Sequence, residues 1–148
     1  MKKNLLTTAI VGILICGSFF CTAAVSPDVI NIGGIAPGST IESAKAKFGQ
    51  PNQSGDDLYF SNGVHIEFEK YNPNIVDEIE ITTPGVSTSK GITIGSPEAK
   101  VKKVYGQPDK VEMDDGKTEY TYYSTDYSKK MEFEVVNGSI VKIKCQHR

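Results

Sequence analysis

Apolar and polar residues alternate most cleanly along Val64-His65-Ile66-Glu67-Phe68-Glu69, which predicts a half-buried strand with Val64, Ile66 and Phe68 facing a core. Leu58-Tyr59-Phe60 precedes it across the turn Ser61-Asn62-Gly63, a hairpin signal. After the turn Tyr71-Asn72-Pro73-Asn74, residues 76–81 alternate again and close a three-stranded meander. A second meander is predicted at 119–123, 131–135 and 140–145, with Asn137-Gly138 as its tight turn. Before each meander the period changes to that of a helix. Ile41, Ala44 and Phe48 share one face of a helix over 39–48, and Val101, Val104 and Tyr105 share one face of a second.

These helices belong to a repeat. Residues 34–51 and 91–108 match at eight of 18 positions without a gap, an offset of 57. Both copies carry start and stop signals. Ser39-Thr40-Ile41-Glu42 reads as a capping box. Ser96 reads as a cap with Pro97 at the first helical position. Gly49 and Pro51, like Gly106 and Pro108, end the helices. A further strand is possible at the start of each copy, at 30–32 and 92–94. The expected fold is α+β: two tandem repeats (25–88 and 89–148), each a short helix followed by a three- or four-stranded antiparallel meander. One such unit buries too little to stand alone. Two side by side form one twisted sheet with both helices on one face.

The first 24 residues read as a signal peptide. Lys2 and Lys3 precede an uncharged apolar run at 5–20, and Thr22-Ala23-Ala24 offers a small-residue cleavage site. Cleavage after Ala24 leaves an exported chain, periplasmic or extracellular, with no membrane span; retention as an anchor is the alternative. Cys16 and Cys21 leave with the leader. Cys145 remains alone, either a small buried hydrophobe or a thiol available for an intermolecular disulfide.

The Gly-Ile-x-x-Gly-Ser, short helix, Gly-Gln-Pro pattern resembles the tandem modules of the β-lactamase inhibitor protein-like fold. It is also similar to the small outer-membrane lipoprotein of the β-barrel assembly machinery. The resemblance implies a scaffold that binds another protein through a sheet or loop surface. Two features depart from it: neither Cys16 nor Cys21 has a lipid-attachment context, and the inhibitor's intradomain disulfides have no counterpart.

Charge sharpens that expectation. The chain has 16 Lys and Arg against 18 Asp and Glu, so neither half is basic enough to suggest nucleic acid. Residues 29–88 are acidic, with three Lys against eight Asp and Glu. Alternation turns Glu67, Glu69, Glu78 and Glu80 to the outward sheet face, whereas in the second half Glu132 and Glu134 oppose Lys142 and Lys144. Tyr59 and Tyr123 fall on the same face. These six residues, Glu67, Glu69, Glu78, Glu80, Tyr59 and Tyr123, form the expected partner-binding surface; the plain alternative is a solvated acidic face.

Catalytic chemistry finds little support. His65 reads as a solvated sheet histidine, and Cys145 with His147 supplies too few ligands for zinc. Asp56-Asp57 and Asp114-Asp115 read as turns rather than calcium loops. No catalytic residue, metal or cofactor is assigned. The expected function is a non-enzymatic, exported protein-binding module. The alternatives are an inhibitor of a secreted enzyme and a small hydrolase or metal-dependent enzyme.

Overall fold

The computed structural model describes residues 25–148; the expected signal peptide, with Cys16 and Cys21, lies outside the described residues. Alternating apolar residues build the strands. β1 (Asn52–Ser54), β2 (Asp57–Tyr59), β3 (Val64–Glu69) and β4 (Asn72–Ile81) follow helix α1 (Ile41–Phe48). β5 (Lys110–Asp114), β6 (Lys117–Tyr123), β7 (Lys129–Val136) and β8 (Ser139–His147) follow α2 (Glu98–Tyr105). All eight join one antiparallel sheet in the order β1-β2-β3-β4-β8-β7-β6-β5.

The expected architecture of two tandem repeats, each a helix followed by a meander, is corrected by this topology. The described residues form a single eight-stranded sheet with two α-helices of eight residues each and one short 3-10 turn at Pro27–Val29. The reason lies at β4 and β8. Each would otherwise present a row of unpaired backbone groups. They pair with each other instead, Ile79 against Cys145 and Ile81 against Ile143, and the core runs unbroken across the seam. The expected strands at 30–32 and 92–94 are also corrected. Ile32 makes only isolated bridges to Ile35 and Thr88, and Ile92 is buried in a loop. The additional strands are β1 and β5, which follow the helices and are exposed throughout.

One face of the sheet is apolar. Leu58, Ile66, Ile79, Cys145, Met131 and Tyr122 line up across it in register, all nearly or fully buried. Both helices cover this face, α1 through Ile41 and Ala44 and α2 through Val101 and Tyr105. The Tyr105 ring packs against Tyr122 and Phe133, and Phe48 meets Phe60 edge-on.

The repeated motif shapes how each helix is entered. The Gly38 N–H donates to the Val76 carbonyl, and the Val76 N–H donates back to the Ser39 carbonyl. Gly95, Ser96 and Ile140 repeat this exchange on β8. Both serine hydroxyls brace the entry loop, Ser39 Oγ accepting from the Ala36 N–H and Ser96 Oγ from the Thr93 N–H. The caps therefore differ from expectation. Thr40, not Ser39, accepts from the Ser43 N–H, and Pro97, not Ser96, occupies the cap of α2, with no side-chain cap bond. The serines are already engaged in the loop, so the capping role moves one residue on.

Candidate functional site

The face opposite the helices is polar, and strand register orders it into rows. One row runs Asp57, Glu67, Glu78, Gln146, Lys130, Tyr123; the next runs Tyr59, His65, Glu80, Lys144, Glu132, Thr121. The β4–β8 seam brings the acidic half against the lysines of the other half. Lys144 Nζ lies 3.4 Å from Glu78 and 3.6 Å from Glu132. Lys142 Nζ lies 3.8 Å from Glu80 and 3.7 Å from Glu134. Each lysine thus serves one glutamate from each half.

Burial and charge set the titration of this ladder. Burial pushes the Glu78 carboxyl above its ordinary value and outweighs the opposing pull of Lys144; Glu67 adds to the rise. Burial works against the Lys144 ammonium, yet Glu78 and Glu132 hold its pKa above the ordinary lysine value. Glu132 is 8% exposed and takes hydrogen bonds from Lys130 and Gln146 as well. The centre of the face is therefore occupied by its own charges.

The expected surface residues separate accordingly. Glu78 and Glu80 belong to the ladder. Glu67 sits directly across from Glu78, is exposed, and among the described residues has no cation in salt-bridge range. Register shifts on either side of Phe68 detach Glu69, whose carboxylate lies 3.8 Å from His147 Nε2. Tyr59 is 47% exposed and opposes His65, diagonal to Glu67. Tyr123 lies five strand spacings from Tyr59, about 24 Å, and shares the Arg148 guanidinium with Tyr127 at 4.8 and 5.0 Å from the two ring centres. The six residues do not form one patch.

A different group gathers at the β2–β3 end. The His65 ring lies against Tyr59, centroids 4.8 Å apart and nearly parallel at 14°. Its Nε2 is 2.7 Å from Asp57 Oδ1. One donor atom each from Asp57, His65 and Glu67 lie within 4.8 Å of one another. A shallow depression lined by Tyr59, His65, Glu80 and Thr82 adjoins them. The expectation of a plainly solvated His65 missed this grouping. Counting outward from the turn at 61–63 gives the missing signal: if Tyr59 opposes His65, then Asp57 opposes Glu67.

A carboxylate-oriented imidazole is part of a nucleophilic triad. Among the described residues, however, no hydroxyl or thiol bonds to the His65 ring, and Cys145 lies on the opposite face with its thiol pKa raised by burial. The group offers imidazole and carboxylate donors; it holds no activated nucleophile.

No family model matches the chain, and no curated protein matches it. Solved structures do. The chain is similar to a DUF4309 family protein, YjgB, from Bacillus subtilis, at 15% identity and TM-score 0.53, covering 74% of this chain and 79% of that one. It is similar to a cysteine-rich secretory protein from Staphylococcus aureus at 13% identity and TM-score 0.55, covering 86% and 48%. A third is an extracellular protein containing an SCP domain from Bacillus anthracis, at 10% identity and TM-score 0.50, covering 99% and 50%. The likeness is one of fold. The chain spans about half the length of the second and third proteins. None of the three bears a name of the β-lactamase inhibitor or barrel-assembly kind. No helix among the described residues is long and apolar enough to cross a membrane.

Proposed function

We propose that this chain is an exported, non-catalytic module that docks another protein on the β2–β3 end of its polar sheet face. The observation that carries the reading is the contrast within that face. At its centre, glutamates and lysines pair with one another. At its β2–β3 end, an exposed tyrosine stands diagonal to an acidic residue that has no paired cation among the described residues. Exposed aromatic side chains anchor interfaces, and an unpaired carboxylate favours a basic counterpart. The leader-like N-terminus supports export, and of the two compartments the extracellular one accords with the names of two similar structures.

The test uses Glu67→Lys. Glu78 is unsuitable for charge reversal, because a lysine there would face Lys144. A photo-crosslinking residue at position 59 should yield one discrete adduct in the producing culture, and the same probe at Lys47, on α1, should not. Glu67→Lys should remove the adduct without lowering the melting temperature, because it also relieves the cross-strand repulsion from Glu78. Equal adducts from both positions, or an adduct indifferent to Glu67→Lys, would count against the docking surface.

A further inference from the structure

We propose that Asp57, His65 and Glu67 form a binding site for a zinc-type divalent cation on the β2–β3 hairpin. The two strands fix the donors. Asp57 and Glu67 are direct cross-strand partners, and His65 is two residues from Glu67 on the same side of β3. Their donor atoms already lie within 4.8 Å of one another. Around a tetrahedral zinc ion with ligand bonds of about 2.0–2.2 Å, donors sit about 3.4 Å apart. Small side-chain rotations cover that difference, and the 2.7 Å Asp57–His65 contact opens to admit the ion.

Three observations set this group apart from an ordinary ion pair. The imidazole is stacked on Tyr59, so its plane is held before any ligand arrives. Two carboxylates and a neutral imidazole carry the charge that cancels a divalent ion. Finally, Glu67 is placed directly against Glu78, a like-charge pair that destabilises a sheet. Lys144 answers Glu78 and leaves Glu67 unanswered. A cation on the hairpin supplies the missing charge. The mixed nitrogen and oxygen donors select an ion of the zinc, nickel or copper type over calcium or magnesium. Three protein ligands leave a position for water or for a partner's side chain.

The experiment is calorimetric titration of the untagged protein with zinc chloride, repeated with magnesium chloride. A 1:1 zinc site is expected, with little or no magnesium heat. His65→Ala should weaken zinc binding at least tenfold, as should Asp57→Asn and Glu67→Gln, each made singly. His147→Ala, a control histidine on β8, should leave it unchanged. Circular dichroism confirms that each variant is folded, and zinc should raise the melting temperature of the parent but not of His65→Ala. Because Asp57→Asn and His65→Ala each keep Glu67, they separate this site from the docking surface. Absence of zinc binding at 1:1 protein equivalence up to millimolar metal, binding indifferent to His65→Ala, or binding lost in His147→Ala overturns the assignment.

Discussion

Replacing Glu78 by glutamine should stabilise the protein at neutral pH. Glu78 lies directly across from Glu67, and its side chain is only 15% exposed. A like-charge pair in that position costs about 0.2–1 kcal/mol. The Lys144 contact at 3.4 Å returns a similar amount, since partly exposed ion pairs contribute about 0–1 kcal/mol. The two nearly cancel, so burial of the carboxylate decides the sign. Glutamine keeps the shape and removes the buried charge. The gain should reach at most about 1 kcal/mol, or about 5 °C in melting temperature. The pH dependence follows from the raised folded-state value. Below the ordinary 4.5 the carboxyl is protonated whether the chain is folded or not, and Glu78→Gln should match the parent. As pH rises through the higher folded-state value, the parent loses stability that the variant keeps. Thermal unfolding followed by far-UV circular dichroism from acid to neutral pH measures the difference. In a Glu67→Gln background the gain should shrink, which isolates the cross-strand repulsion. If Glu78→Gln is less stable than the parent at neutral pH, the Lys144 pairing outweighs burial and the account of the ladder is wrong.

Two further perturbations probe the scaffold. Gly63 and Gly116 both turn with positive φ, at 79° and 78°, but a Cβ at Gly63 would lie 1.9 Å from Thr83 Oγ1 while one at Gly116 meets nothing within 4 Å. Gly116→Ala should cost about 1 kcal/mol from backbone strain alone, and Gly63→Ala about 1–3 kcal/mol more, with part of the excess recovered in a Thr83→Ala background by urea titration. The Cys145 thiol, fully buried between Ile79 and Met131, should resist alkylation until the protein unfolds, as peptide mass spectrometry of the labelled chain would show. A covalent dimer through Cys145 formed without unfolding would contradict that burial.

The strands with alternating apolar residues were legible because burial on one face imposes a period of two. Ile66, Ile79, Ile81, Phe133 and Ile143 all lie where alternation placed them. β1 and β5 were not legible, for different reasons: Asn52-Gln53-Ser54 in β1 holds no apolar residue, whereas in β5 Val111 and Met113 do alternate with charged residues but stand exposed rather than facing the core. Ile30, Ile32 and Ile92 misled for the opposite reason, since a loop that enters the core buries isoleucine as fully as a strand does. The pairing of β4 with β8 depends on residues more than 60 positions apart, and a local pattern carries no record of it. The acidic face consequently looked unbalanced, because its lysines come from the far half of the chain. The grouping of Asp57 with His65 required only the hairpin register, which the Asn62-Gly63 turn supplies.

β8 is the latest strand in chain order, yet it occupies the middle of the sheet. A ribosome must therefore complete residues 139–147 before either half can find its neighbour. Until then β4 and β7 each present a bare, hydrogen-bond-hungry edge, the kind of surface that recruits other chains. Nonsense or proteolytic loss from Ser139 onward would remove the keystone rather than trim a margin, and its product should be recovered as aggregate. In a fold of this order, synthesis runs from the rims inward, and completion at the centre is the step that closes the two inner edges.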